Sequence, residues 1–172
     1  MQAKTFNHLL GFSLFFLAHW FFGNLYEEIV LAPNQLANSY EALKSWQGYF
    51  TVTNQIYYYV PLTQIAVFVV CFLYVKSSNK KEKCLLKKAS IFGLLSILIT
   101  ALIVTQLNLK LFFGDIEKYK EQIYNLSVIW LIGNAIRLYL VGTCLYLTFK
   151  TYILGQKTMI QITTTKLLPK QD

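Results

Sequence analysis

Hydrophobic positions along the chain gather into four long runs, at residues 6–31, 55–75, 89–113 and 123–152, with short polar stretches between them. Each run is too long for a strand. At about 1.5 Å of rise per residue, each is long enough as a helix to cross a hydrocarbon core of about 30 Å. Pro33 is expected to end the first helix, because it cannot donate a backbone hydrogen bond and it disfavours helical geometry in the residue before it. Between residues 34 and 54 the spacing of Leu36, Tyr40, Leu43 and Trp46 predicts a short amphipathic helix, stopped by Gly48. Such a helix is a natural lid over any cavity opening on that side. After Gly155 the apolar pattern is lost. The expected fold is all-α: an up-and-down four-helix transmembrane bundle over residues 1–155, with the amphipathic helix in the first external loop and a polar, basic tail over 156–172.

The polar residues set inside these runs carry the candidate chemistry. Trp130, Asn134 and Arg137 recur at i, i+4 and i+7 and share one helical face. A guanidinium at that depth costs roughly 3 kcal/mol on insertion scales if it faces lipid, so Arg137 is expected to point into the bundle or a wet cavity. Thr105, Gln106 and Asn108 cluster near the end of the third run. In the first run His19, Gly23 and Glu27 recur at i, i+4 and i+8, and in the second Tyr57, Pro61 and Gln64 share a face. Counting depth from the helix ends predicts that Glu27, Tyr57, Gln64, Thr105, Asn108, Trp130, Asn134 and Arg137 line one pocket, with His19 near mid-depth. Glu27 and Glu28 lie close to the end of the predicted first helix, which leaves Arg137 without an acidic partner at its own level.

Composition agrees with a membrane setting. Of the 172 residues, 55% are hydrophobic and only 14% charged, a balance a soluble domain of this size would struggle to bury. Lys4 ahead of an apolar stretch imitates a signal peptide, but there is no clear small-x-small cleavage site and the apolar run continues too far, so a retained span is expected. The net charge of +8 does not point to nucleic acid, since the lysines sit between and after the apolar runs rather than among exposed aromatics. Six lysines fall between Lys76 and Lys88 against the single acid Glu82. The positive-inside rule places that loop, Lys4, Lys150, Lys157, Lys166, Lys170 and both termini in the cytoplasm. Lys44, Lys110, Lys118 and Lys120 fall opposite, offset by Glu27, Glu28, Glu41, Asp115, Glu117 and Glu121. Cys71, Cys84 and Cys144 form no CxxC pair, and His8 and His19 are too few for a histidine-rich di-iron centre.

At the polar positions the chain resembles a known family. The patterns T-x-x-N-x-x-L at Thr105, Asn108 and Leu111 and W-x-x-x-N-x-x-R at Trp130, Asn134 and Arg137 resemble the second half of the small four-span membrane proteins that include anthrone oxygenases and many bacterial members. The early stretch GNLYEEIVLAP is similar to the first span of that family. The resemblance implies a bacterial inner-membrane bundle and, as in characterised relatives, oxidation of an anthrone or similar polyketide phenol by dioxygen with neither metal nor flavin. Such chemistry needs a base, a group to hold the resulting anion and a water-poor chamber. His19 or Glu27 are the candidate bases and Arg137 the anion holder. Asn108 or Asn134 would orient the substrate, Trp130 would stack on its ring, and Tyr57, Gln64 and Thr105 complete the expected lining. The competing class is a non-catalytic subunit that binds lipid or quinone, or an accessory membrane subunit. Either way the expected partner is a hydrophobic small molecule or lipid in the membrane.

Overall fold

The computed structural model describes the backbone of residues 2–37 and 39–167 and the side chains up to residue 156. The chain is all helical: α1 (Ala3–Tyr26), α2 (Ala32–Ala37), α3 (Ser39–Tyr49), α4 (Gln55–Lys76), α5 (Lys80–Ile103), α6 (Leu109–Leu111) and α7 (Ile123–Leu167), with wide π turns at Glu27–Leu31 and Val104–Asn108 and a 3-10 turn at Ile116–Gln122. Four stretches are long and apolar enough to cross a membrane, Ala3–Ala37, Gln55–Lys76, Lys80–Leu111 and Ile116–Gln156. Their outward faces carry Phe15, Phe22, Phe68, Leu94, Leu98 and Ile132, all exposed. An apolar exterior around a packed interior is the pattern of an integral membrane protein. The long helices pack in the cyclic order α1, α4, α5, α7 and back to α1, so the chain forms the expected four-helix bundle.

The bundle closes along seams with a seven-residue repeat. On α7 the buried positions are Ile123, Ser127, Trp130, Asn134, Arg137, Val141, Cys144, Thr148, Thr151 and Gly155 among the described side chains, alternating three and four residues apart as in a coiled coil. On α1 they are Leu10, Ser13, Leu17, Trp20 and Asn24, continued by Glu27 at the start of the first π turn. The polar residues of both helices therefore occupy interior positions of the repeat. Toward the end where α4 leads into α5, here the lysine end, the core is apolar: Leu10, Leu17, Val67, Val70, Leu73, Leu86 and Ala89 share one cluster. Gly93 lets α4, α5 and α7 come together there, since a Cβ on it would lie 2.8 Å from Val67 Cγ1 and 3.3 Å from Cys144 Sγ. Gly93→Val is expected to overpack this contact and cost about 1–3 kcal/mol of stability. Gly11→Ala, where nothing lies within 4 Å, is expected to cost nothing. Unfolding of the two variants in mild detergent compares them directly.

Three boundaries differ from the sequence expectation. Pro33 does not end the first helix: the chain stays helical to Ala37, and the π turn just before it takes up the strain. Ala32 N–H bonds back to Glu27 O, five residues earlier, and the Asn34 side chain donates to Val30 O at 2.7 Å, so the ladder is rewired around the proline. The extra residue also shows in the seam, which steps by five from Glu27 to Ala32. At the lysine end the connection is only Ser77–Asn79 long, because Asn79 accepts from Lys81 N (2.9 Å) and Glu82 N (3.4 Å) and starts α5 at Lys80. Finally, α7 continues through Gly155 to Leu167. The rest of the expected tail, 168–172, lies outside the described residues.

Candidate functional site

The polar seam positions of α1 and α7 face each other in the α3 half of the bundle. Arg137 is 7% exposed, and its Nη2 donates to Asn24 Oδ1 and Asn134 Oδ1 and lies 4.0 Å from Glu27 Oε2. Asn24 is itself held by Nδ2 donating to Trp20 O at 2.7 Å. Asn134 Nδ2 donates to Glu28 Oε2 at 2.6 Å. One cation thus sits among two carboxylates and two amides. Its Nε is buried with no hydrogen-bond partner among the described residues, an uncommon condition for a donor of this strength.

The expectation that Arg137 lacks an acid at its level is corrected. It followed from stopping the first helix at Pro33, which puts Glu27 and Glu28 at a wet end. Because the helix runs on to Ala37, Glu27 lies about 15 Å below its terminus at 1.5 Å per residue, level with the guanidinium. The π turn begins at Glu27 and leaves it 8% exposed.

Above this polar floor lies a cavity of about 90 Å³. Glu27, Arg137, Asn24 and Asn108 contribute its polar groups, and Trp20, Trp46, Phe50, Tyr59, Phe112, Phe113 and Trp130 its aromatic walls. The second π turn presents Asn108, whose Oδ1 accepts from Trp130 Nε1 at 2.8 Å. That bond fixes the indole, and Phe112 meets it edge-on at 5.8 Å. Trp46 of α3 stacks on Phe112 at 5.7 Å and 25°. Both π turns therefore deliver a polar side chain to the same chamber, in keeping with the frequency of such turns at functional sites.

Helix α3 closes the chamber from its end. Gln47 Nε2 donates to Leu111 O (3.3 Å) and Gly114 O (3.1 Å). Tyr40 donates to Glu117, and Lys44 lies 3.7 Å from the same carboxylate. The bond from Lys44 to Tyr40, with Glu117 beside it, holds the lysine ammonium above its usual range. The amphipathic helix expected over this end is present, and Leu43 is its buried anchor.

Of the residues singled out from sequence, Glu27, Asn108, Trp130 and Arg137 line the cavity, and Asn134 lies beneath it, bonded to Arg137. The other four lie away from it. His19 packs against the rings of Tyr58 (4.9 Å) and Tyr59 (5.1 Å); it follows Leu17 and precedes Trp20, so it stands off the seam. A spacing of i, i+4 and i+8 drifts around the helix where the seam alternates three and four. Tyr57 is 73% exposed because the inward tyrosine of that triplet is Tyr59, four residues before the buried Thr63. Gln64, next to Thr63, is half-buried and outside the lining. Thr105 is exposed and donates to Ala101 O at 2.8 Å. It lies three residues from Asn108, but in a π turn residues so spaced no longer share a face.

The sequence reading missed Asn24 as a site residue, although it lies three residues before Glu27 on the seam. It also missed Tyr59, Gln47 and Phe112, for which only the assembled fold gives a signal. Among the described residues no three His, Cys, Asp or Glu side chains gather in a metal-binding group. No protein-family model, curated protein or solved structure matches the chain.

Proposed function

We propose that the cavity binds a hydrophobic aromatic molecule with an acidic hydrogen and that the protein is a membrane-embedded oxygenase-like enzyme, as its resemblance to the anthrone oxygenases implies. One observation carries the reading: Glu27 and Arg137 stand 4.0 Å apart in the wall of an aromatic chamber. A carboxylate beside a guanidinium is a base with a ready holder for the anion it creates. When Glu27 takes a proton from the substrate, the negative charge passes to the substrate oxygen and the guanidinium keeps one anionic partner, so the net charge of the chamber does not change. With anthrone the overall change is balanced by dioxygen: the ring methylene loses two hydrogens and gains one oxygen, and the second oxygen leaves as water.

Purified protein in detergent, offered anthrone or trimethylhydroquinone, is expected to consume dioxygen faster than the solution reaction. Binding of both compounds without any added oxygen uptake would leave the chamber a carrier or accessory site and overturn the enzyme reading.

We also infer that the lysine end faces the cytoplasm. The basic residues at Lys76, Lys80, Lys81, Lys83, Lys87 and Lys88 are all exposed there, and the positive-inside rule favours that orientation. An impermeant maleimide added to intact cells is expected to label a single-cysteine Lys44→Cys protein and not Lys81→Cys. The reverse pattern would invert the topology.

A further inference from the structure

The chamber is closed by α3 but not walled on every side. Helix α4 packs on α1 and α5, whereas its backbone makes no substantial contact with that of α3, the second π turn or α6. Cavity-lining residues stand on both sides of that gap: Ile56 and Val60 on α4, Val104 on the π turn and Phe113 just after α6. They are apolar, and Phe113 is 47% exposed to the surroundings of the bundle. Val60 lies five residues into α4, about 8 Å below the helix start at 1.5 Å per residue. The polar rim of the chamber, Asn54 and Gln55, lies above it at the helix start. The apolar edge of the opening therefore lies deeper along the bundle than its polar edge.

Size narrows the occupant. At about 90 Å³ the chamber is smaller than the roughly 150 Å³ of an engineered apolar cavity that takes benzene, so it seats one ring near its floor and leaves the rest of a larger substrate in its open mouth. A chamber for one ring, with acid and base at its floor and an apolar slot to the bilayer at its side, fits an amphiphile whose larger part stays outside.

We propose that the substrate is a single-ring phenol or quinol carrying an alkyl or prenyl tail, drawn from the bilayer through the gap between the first turns of α4 and the second π turn with α6. The ring lies over Glu27 and Arg137, and the tail leaves past Val60 and Val104 into lipid. This rests on the chamber being the aromatic-binding site proposed above and adds the class of substrate and its route.

The test uses the full chain in lipid nanodiscs with a 4-decylphenol bearing a diazirine at the end of its tail. Photolysis is expected to place adducts on α4 near Ile56 and Val60, on Val104 or Phe113, or on lipid just outside them, and excess p-cresol should abolish them. Adducts that p-cresol displaces but that lie on α3, or on the outer faces of α1 and α7, would overturn the route and leave the ring site standing. Labelling that p-cresol does not displace, with no p-cresol binding, would overturn both. As a second measurement, Val60→Trp narrows the gap, and it is expected to weaken 4-decylphenol at least tenfold more than p-cresol. Equal losses for the two phenols would place the tail elsewhere.

Discussion

Arg137→Met is expected to destabilise the bundle by about 3 kcal/mol, the loss typical when one partner of a buried ion pair is removed. The substitution leaves the Glu27 carboxylate in a low-dielectric interior without its cation. It also leaves Asn24 Oδ1 and Asn134 Oδ1, which both accept from Nη2, without a donor. Most of the cost comes from those abandoned groups rather than from the attraction itself. For that reason the double variant Glu27→Gln/Arg137→Met is expected to be more stable than Arg137→Met alone, recovering about half of the loss. Arg137→Lys keeps the charge and brings three donors on one nitrogen, but its shorter side chain stops short of the Nη2 position where Asn24, Asn134 and Glu27 meet, so it should fall between the parent and Arg137→Met. Unfolding in mixed detergent and SDS micelles measures all four proteins. Equal stability of Arg137→Met and the parent would mean that the network contributes nothing to folding.

The same residues show how far the sequence could be read. The four spans, the α3 helix and the inward faces of Trp130, Asn134 and Arg137 follow from apolar run length and from the cost of an arginine in lipid, and both signals are local. What failed was finer than a helical turn. Whether Tyr57 or Tyr59 points inward depends on the phase of the α4 seam, and three consecutive tyrosines carry no phase of their own. Titratability marks His19 as a candidate, whereas the spacing of Leu17, Trp20 and Glu27 marks the amide Asn24 as the seam residue. The hardest point was Pro33. Read alone it stops a helix, and only the π turn upstream, with Asn34 bonding to Val30, lets the helix pass it. That one boundary decided the depth of Glu27 and hence whether Arg137 had a partner. π turns have no composition that announces them, so the pairing of Glu27 with Arg137 was not legible before the fold.

Glu27→Gln separates the two roles assigned to that pair. Glutamine keeps the volume and a hydrogen-bonding oxygen in the chamber wall, so the aromatic pocket and its affinity for a neutral phenol are expected to change by less than about threefold. Proton abstraction is another matter, since an amide is no base at neutral pH. Loss of a positioned general base costs typically 10²–10⁴-fold in rate, and the oxygen uptake of Glu27→Gln is expected to fall within that range while binding of trimethylhydroquinone persists. Glu27→Asp, which retains the carboxylate but draws it back from the substrate by one methylene, should keep measurable activity. Glu28→Gln supplies the contrast, because Glu28 touches Asn134 rather than the cavity lining. Its rate is expected to fall less than tenfold. If Glu28→Gln were the inactive variant and Glu27→Gln the active one, the base would lie on the other side of Arg137 and the chamber would serve only to bind.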